Sequence, residues 1–312
     1  MNLINTFDNC RFWGERRNLF LQRIRFYGFM NRLIDICANF ILPIYFKITQ
    51  NKPCYALSKS TLKDGARVIV SLTSYPIRIP ALWKVIETIL RQTIKPDKIV
   101  LYLTKSQIGS IESLPKSLLN QRKRGLEIQL IDEEIRSHTK YYGAFKQYPE
   151  DIIITVDDDL FYRADLIEHL LKNHQKYPHA IIANWVKEIL PYTDKYKEWP
   201  DGKSPKLSHR FLLLGVSGML YPPHCMYKDI FNVELIRRMC LTADDVWLTC
   251  MALLQKTPIY FSGYQFAHVP VFIKNNTTLI SVNKDRNQLQ IDNLNNYYQE
   301  KIGIRPFVDL ID

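Results

Sequence analysis

Two hydrophobic periods run along this chain, and the change from one to the other falls near residue 65. From Phe26 to Phe46 the run FYGFMNRLIDICANFILPIYF puts Leu33, Ile34, Ile36, Cys37, Phe40, Ile41 and Ile44 near helical spacing, with Asn31, Asp35 and Asn39 between them. After Asp64-Gly65, short β-rich runs alternate with helical ones. Arg67–Thr73, Lys98–Leu103, Leu126–Ile131, Asp151–Val156 and Ala180–Trp185 read as strands, and Pro80–Gln92, His138–Tyr148 and Ala164–Tyr177 as helices. Strands alternating with helices of this length need right-handed crossovers. The pattern therefore predicts an α/β domain with a mostly parallel sheet covered on both faces.

Beyond Lys187 the order loosens. Residues 191–210 are rich in Pro, Lys and Tyr and read as a mobile loop. Phe211–Leu214 and Ser217–Tyr221 are short apolar pieces, Thr242–Gln255 a helix and Pro258–Phe261 a short strand. The last thirty residues read as a polar tail of weak helical character. The simplest division is a basic amphipathic region over 1–64, an α/β domain over 65–283 and a tail over 284–312.

Composition narrows the classes. The 312 residues are enough for a substantial core, and 46% hydrophobic with 23% charged residues argues against a disordered or fibrous chain. Glycine is scarce at 11, with neither a GxGxxG nor a GxxxxGK[ST], which argues against a Rossmann enzyme or a P-loop NTPase. The net charge of +11 is uneven: residues 1–64 hold ten Lys/Arg against Asp8, Glu15, Asp35 and Asp64, so more than half of it lies in a fifth of the chain. Asp35, Asn39 and Pro43 interrupt the apolar run short of the ~20 clean residues of a spanning helix. The segment then either lies on an anionic membrane surface or packs on the protein's own core with a solvated basic face. The six cysteines have no CxxC and no metal spacing, and no signal peptide is evident, so reduced thiols and a cytoplasmic setting are expected, with the basic N-terminal lobe able to hold the chain peripherally on the inner membrane face. The sequons at Asn275 and Asn276 would then be without consequence.

The strongest chemical signal is IIITVDDDL, Ile152–Leu160, an apolar strand running into three carboxylates. In extended geometry Asp157 and Asp159 point to one side and Asp158 to the other. Like charges ~4 Å apart repel by about 1 kcal/mol in water and more near a low-dielectric wall. Mg or Mn, hard cations that take one or two carboxylates plus water and phosphate oxygens, would relieve that. The plainer alternative is an acidic turn capping the next helix, with Asp165 and Glu168 serving its dipole. A second pair lies in Thr242-Ala243-Asp244-Asp245-Val246-Trp247, where Asp245, or else Asp244, could accept a proton from an attacking hydroxyl. Thr242 with Asp245 three residues on is equally a capping box. His268 is a candidate third metal ligand against a structural histidine, and Arg78 and Lys140 are candidate phosphate contacts against solvated side chains. Thr73, Ser74 and Tyr75 could line a base or ribose pocket. Gly215, Ser217 and Gly218 would permit close backbone approach by a ligand or form a plain turn.

Taken in order, SLTSYP, RQTIKPDKIVLYL, TKYYGAFKQYPEDIIITVDDDL, GVSGMLYPP and ADDVWL resemble bacterial glycosyltransferases of the GT-A fold, the family 2-like group, over roughly residues 66–270. The resemblance implies a doubly covered nucleotide-diphospho-sugar transferase sheet. It also implies Asp157 and Asp159 as ligands of Mg or Mn and, through it, of the diphosphate of a UDP- or GDP-sugar. It assigns the base role to Asp245, with Asp244 as the alternative because Ala-Asp-Asp stands where Glu-Asp is commoner. The loop from Thr73 to Arg78 would hold the nucleotide base, with Lys140, Asp158, Gly218 and Trp247 in the substrate-binding set. The implied reaction is inverting transfer to a glycan or lipid-linked acceptor in cell-surface polysaccharide or glycolipid synthesis. No nucleic acid partner is expected. Residues 1–64 lie outside the resemblance. Two rivals remain: a haloacid-dehalogenase-like phosphatase with Asp157 as nucleophile, and a non-catalytic basic protein binding nucleic acid or membrane.

Overall fold

The computed structural model describes residues 2–13, 20, 23–52, 65–273 and 286–311; the two sequons and Cys54 lie outside them. Four β-branched runs build one half of the central sheet: β1 (Val68–Thr73), β2 (Lys98–Thr104), β3 (Leu126–Ile131) and β4 (Ile152–Thr155). They pair in parallel in the spatial order β3-β2-β1-β4. Six shorter strands follow: β5 (Ile181–Ala183), β6 (Val186–Glu188), β7 (Lys206–Ser208), β8 (Phe211–Leu213), β9 (Met219–Tyr221) and β10 (Ile259–Phe261). The sheet continues from β4 through β9, β5 and β10 to β7, with β9 antiparallel to both of its neighbours and β7 antiparallel at the edge. β6 and β8 pair separately. Among the described residues the large sheet has eight strands with four parallel pairings against three antiparallel, the mostly parallel α/β sheet expected from the sequence.

Strand alternation divides the core in two. Val68, Val70, Leu72, Ile99, Leu101, Ile152 and Ile154 enter one cluster, while Ile69, Val100, Tyr102 and Ile153 enter the other. Helices cover both faces. The first face takes α1 (Leu3–Trp13), α2 (Phe26–Thr49) and α3 (Ile79–Leu90). The second takes α4 (Thr139–Gln147), and the first face again α5 (Leu166–Lys176). The second face is completed by α6 (Val233–Met239), α7 (Asp244–Gln255) and α8 (Arg286–Ile302). A Leu or Ile to Ala change at such a position costs about 2–5 kcal/mol.

Gly143 lets α4 lie down on β2: a Cβ there would meet the Tyr102 ring at 2.4 Å. Ser71 Oγ on β1 also donates to the carbonyl of Lys140, fixing the start of the helix.

The structure departs from the sequence reading in three places. Residues 191–210, though mostly exposed, are anchored rather than free, because Tyr196 and Trp199 are buried and Trp199 donates from Nε1 to Thr193 O at 3.1 Å and stacks near Phe307. The polar tail is α8, whose Ile291, Leu294 and Tyr298 fall on one side and join the core, with Tyr298 Oη donating to Asp229 Oδ2 at 2.9 Å. And α2 runs unbroken for 24 residues through Asp35, Asn39 and Pro43. Two of these interruptions are partnered. Asp35 pairs with Arg11 Nε at 2.9 Å, and Asn39 donates to Pro270 O and accepts from Phe272 N, each at 2.7 Å. With Ala38, Leu42 and Phe46 fully buried, one side of the helix packs on the protein's own core, and the opposite side remains exposed.

Candidate functional site

The acidic turn leaves the carboxyl end of β4, next to β1 in mid-sheet, where open α/β sheets place ligands. Its backbone is pinned by Tyr162, whose Oη accepts from Asp157 N at 2.7 Å and donates to Val216 O at 3.2 Å. The three side chains do not alternate as extended geometry would have them: Asp157 turns to Lys140, while Asp158 and Asp159, on a bend past the end of β4, share Arg78. Asp158 turns inward and is buried, accepting from Ser74 Oγ at 2.5 Å and from Arg78 Nη1 at 2.6 Å. The same Arg78 nitrogen reaches Asp159 Oδ2 at 2.8 Å, and its Nε donates to Tyr75 Oη at 2.8 Å. Ser74, Tyr75 and Arg78 thus converge on the acidic turn, while Thr73 directs its hydroxyl to Tyr102 O at 2.8 Å and closes β1 against β2.

The second pair heads α7 and meets the first through one ammonium. Buried Lys140 Nζ lies 3.0 Å from Asp157 Oδ1 and 2.9 Å from Asp244 Oδ2. Asp245 Oδ1 accepts from Gly215 N at 3.0 Å. The capping box is absent: α7 begins after Ala243 with no side-chain cap, because the Asp245 carboxylate is drawn to the Gly215 amide.

Electrostatics pulls neighbouring carboxylates apart. Burial works against ionisation of Asp244, but Lys140 and then His138 outweigh it and hold its pKa below the usual range. Burial, reinforced by the charge of Asp244, pushes Asp245 well up. In the first group, burial and then the Asp157 charge raise Asp159 to about 6 despite Arg78. Burial also raises Asp158. Lys140 goes the other way: Asp157, Asp244 and Asp245 overcome its desolvation and keep it charged. Two neighbouring carboxyl groups with opposed shifts are the arrangement that lets one stay an anion while the other exchanges a proton.

Several expected roles change. Trp247 is fully buried beneath the site, so it supports α7 from the core and does not line a binding surface. Gly218 has φ of 84°, and a Cβ would meet the Leu166 side chain at 3.2 Å; backbone conformation and packing, not ligand approach, require glycine. His268 pairs its Nε2 with Ser217 Oγ at 2.6 Å and stacks on Trp185, and burial followed by the Arg11 charge lowers its pKa to about 4. Among the described residues no group of three His, Cys, Asp or Glu is assembled for a metal, so His268 is not joined to Asp157 and Asp159 as a third ligand.

The donor set that is present still suits a hard cation. Five carboxylates at 157–159, 244 and 245 face two cations, Arg78 and Lys140, and the deficit shows in the raised Asp159. Asp157 and Asp159 each commit one oxygen to these cations and have side chains 27% and 34% exposed. Two hard oxygen ligands beside excess negative charge fit Mg or Mn with water and phosphate completing the shell.

Sequence reasoning missed Tyr162 and His138. His138 is fully buried with Nδ1 at 2.8 Å from Tyr141 Oη and Nε2 at 2.8 Å from Cys240 O. Its one local sign is its position three residues before Tyr141, on the turn leading into α4.

No family model matches the chain, and no curated protein matches it. Solved structures do. A mannosyltransferase, PcManGT from Pyrobaculum calidifontis in complex with GDP-Man and Mn2+, aligns over 86% of this chain and 74% of its own at 14% identity and a TM-score of 0.46. A CMP:2-keto-3-deoxy-manno-octonic acid synthetase complexed with CTP aligns over 73% and 99% at 10% identity, TM-score 0.37. A 2-C-methyl-D-erythritol 4-phosphate cytidylyltransferase from Thermus thermophilus aligns over 72% and 98% at 13% identity, TM-score 0.36. These likenesses are remote, and the functional reading rests on the chain's own residues.

Proposed function

We propose that the chain is a GT-A-type glycosyltransferase that takes a UDP- or GDP-sugar and passes the sugar, with inversion, to a hydroxyl of a glycan or lipid-linked acceptor. One observation carries the reading: Lys140 bridges Asp157 at the strand end to Asp244 at the head of α7, which brings the candidate diphosphate ligands close to the candidate base, Asp245. Asp157 and Asp159 would hold Mg or Mn, which when bound supplies charge neutralisation to the leaving diphosphate. Arg78, bonded to Asp158 and Asp159, would orient phosphate oxygens beside them, and the Ser74 hydroxyl on Asp158 supports that pair. Asp245, its basicity raised by burial and by Asp244, accepts the acceptor's hydroxyl proton on Oδ1 or Oδ2. The Gly215 amide keeps that carboxylate oriented. A phosphatase using Asp157 as nucleophile is less well supported, because Asp157 Oδ1 is tied to a buried ammonium and three strands of the same sheet precede it.

The test is a panel of nucleotide sugars screened with Mn or Mg for donor hydrolysis and for protection against thermal unfolding. Protection and metal-dependent release of nucleoside diphosphate by one donor is the expected result. No response from any donor removes the reading. Pyrophosphate release from a nucleoside triphosphate and a sugar phosphate would make it a nucleotidyltransferase, and phosphate release from a simple monoester a phosphatase.

A further inference from the structure

The outward side of α2 is the most apolar exposed surface of the described chain. Phe29, Leu33, Ile36, Phe40, Ile44 and Ile48 recur three or four residues apart, with Phe40 at 71% and Ile48 at 77% exposure. A soluble surface helix shows the reverse pattern, polar outward and apolar inward. By length and composition α2 could cross a membrane. Its other side excludes that, since Ala38, Leu42 and Phe46 are buried on the sheet face and Asn39 is bonded to Pro270 and Phe272. A helix fastened lengthwise to a folded domain can only lie in the plane of a bilayer.

Charge selects the occupant. Residues 23–52 carry Arg23, Arg25, Arg32, Lys47 and Lys52, all exposed, and their one acid, Asp35, is buried and paired with Arg11. A second copy of this helix would set the same five cations against these, whereas an anionic headgroup layer would neutralise them as the phenylalanines enter the acyl boundary. We propose that α2 is an in-plane anchor that docks this protein on an anionic lipid surface. The anchor also backs the acidic turn, with the Phe46 and Phe161 rings 6.3 Å apart. The docking does not depend on the transferase reading.

The experiment is flotation of the full chain with vesicles of phosphatidylcholine alone and of phosphatidylcholine with phosphatidylglycerol. Binding to the anionic vesicles, weakened by high salt, is expected. Phe29→Ser with Phe40→Ser should reduce partitioning at least about tenfold without moving the thermal midpoint, because both rings are exposed. Arg23→Gln with Arg25→Gln should reduce it about thirtyfold on anionic vesicles only. The proposal is overturned by absence of flotation, by equal binding to neutral vesicles, or by variants that float as the parent does. A dimer in light scattering that the serine pair dissolves, with no vesicle binding, would assign the face to a second copy instead. Donor hydrolysis, measured separately without lipid, is unaffected by any of these outcomes.

Discussion

The acidic turn after β4 and the acidic head of α7 are both runs of adjacent aspartates, yet they are neutralised in different ways. In the turn, Arg78 is shared by two neighbours, Asp158 and Asp159, and burial still wins, so both are raised. At the helix head, Lys140 attends to Asp244 and leaves Asp245 to a single backbone amide, so one falls and the other climbs. The difference follows from where each cation comes from. Arg78 reaches the turn from the β1 loop at its side, whereas Lys140 comes from below, out of the helix packed on β1 and β2, and joins the two regions. Adjacency in sequence does not make two carboxylates equivalent; the direction from which a cation can approach does.

The sharpest test of that asymmetry is Asp245→Asn. It should lower transfer by about 10²- to 10⁴-fold in steady-state assays while leaving donor affinity by calorimetry unchanged. Equal loss in both would place Asp245 with the donor group. Next, Lys140→Met should cost about 3–5 kcal/mol in urea unfolding, since it strands two carboxylates at once. A near-neutral result would mean that the two regions are not held together by this ammonium.

Titration separates the regions by sign. His138, beside Asp244, has its pKa lowered to about 4 by burial, so the unfolded chain binds its proton first as pH drops. Its contribution is complete above about pH 6.5 and lost toward pH 4, a change of about 3 kcal/mol. Urea midpoints across that range should fall with pH, and His138→Gln should flatten the slope. Asp159 has the opposite sign: raised to about 6, it stabilises the fold below its unfolded value of 3.8 and loses this as pH rises through 6. Asp159→Asn should therefore raise the thermal midpoint slightly at pH 7 while weakening Mn-dependent donor protection. If both properties move together, the residue is structural and not a metal ligand.

Much of this architecture could be read from the chain. The β-branched runs at 68–73, 98–104 and 152–155 are too apolar to lie anywhere but a doubly covered sheet, and three carboxylates follow closely on the last of them, at the carboxyl end where the candidate site lies. What escaped were contacts made across long separations. Trp247 sits in a motif beside Asp245, and only packing shows that it faces inward. The helix at 286–302 reads as little more than a polar tail because its buried Ile291, Leu294 and Tyr298 stand among Asn and Gln, two of which are buried with them. The bridging role of Lys140 has no local sign, since its partners lie 17 and 104 residues away.

One absent methyl group has a longer reach than its size suggests. With alanine at 143, the helix would have to lift from the Tyr102 ring, and Lys140, one turn earlier, would rise with it. A shift of that kind would slide a positive charge out from between two negative ones without altering any residue that bears charge. Glycine here acts as a shim, setting by its thinness the height at which the ammonium stands.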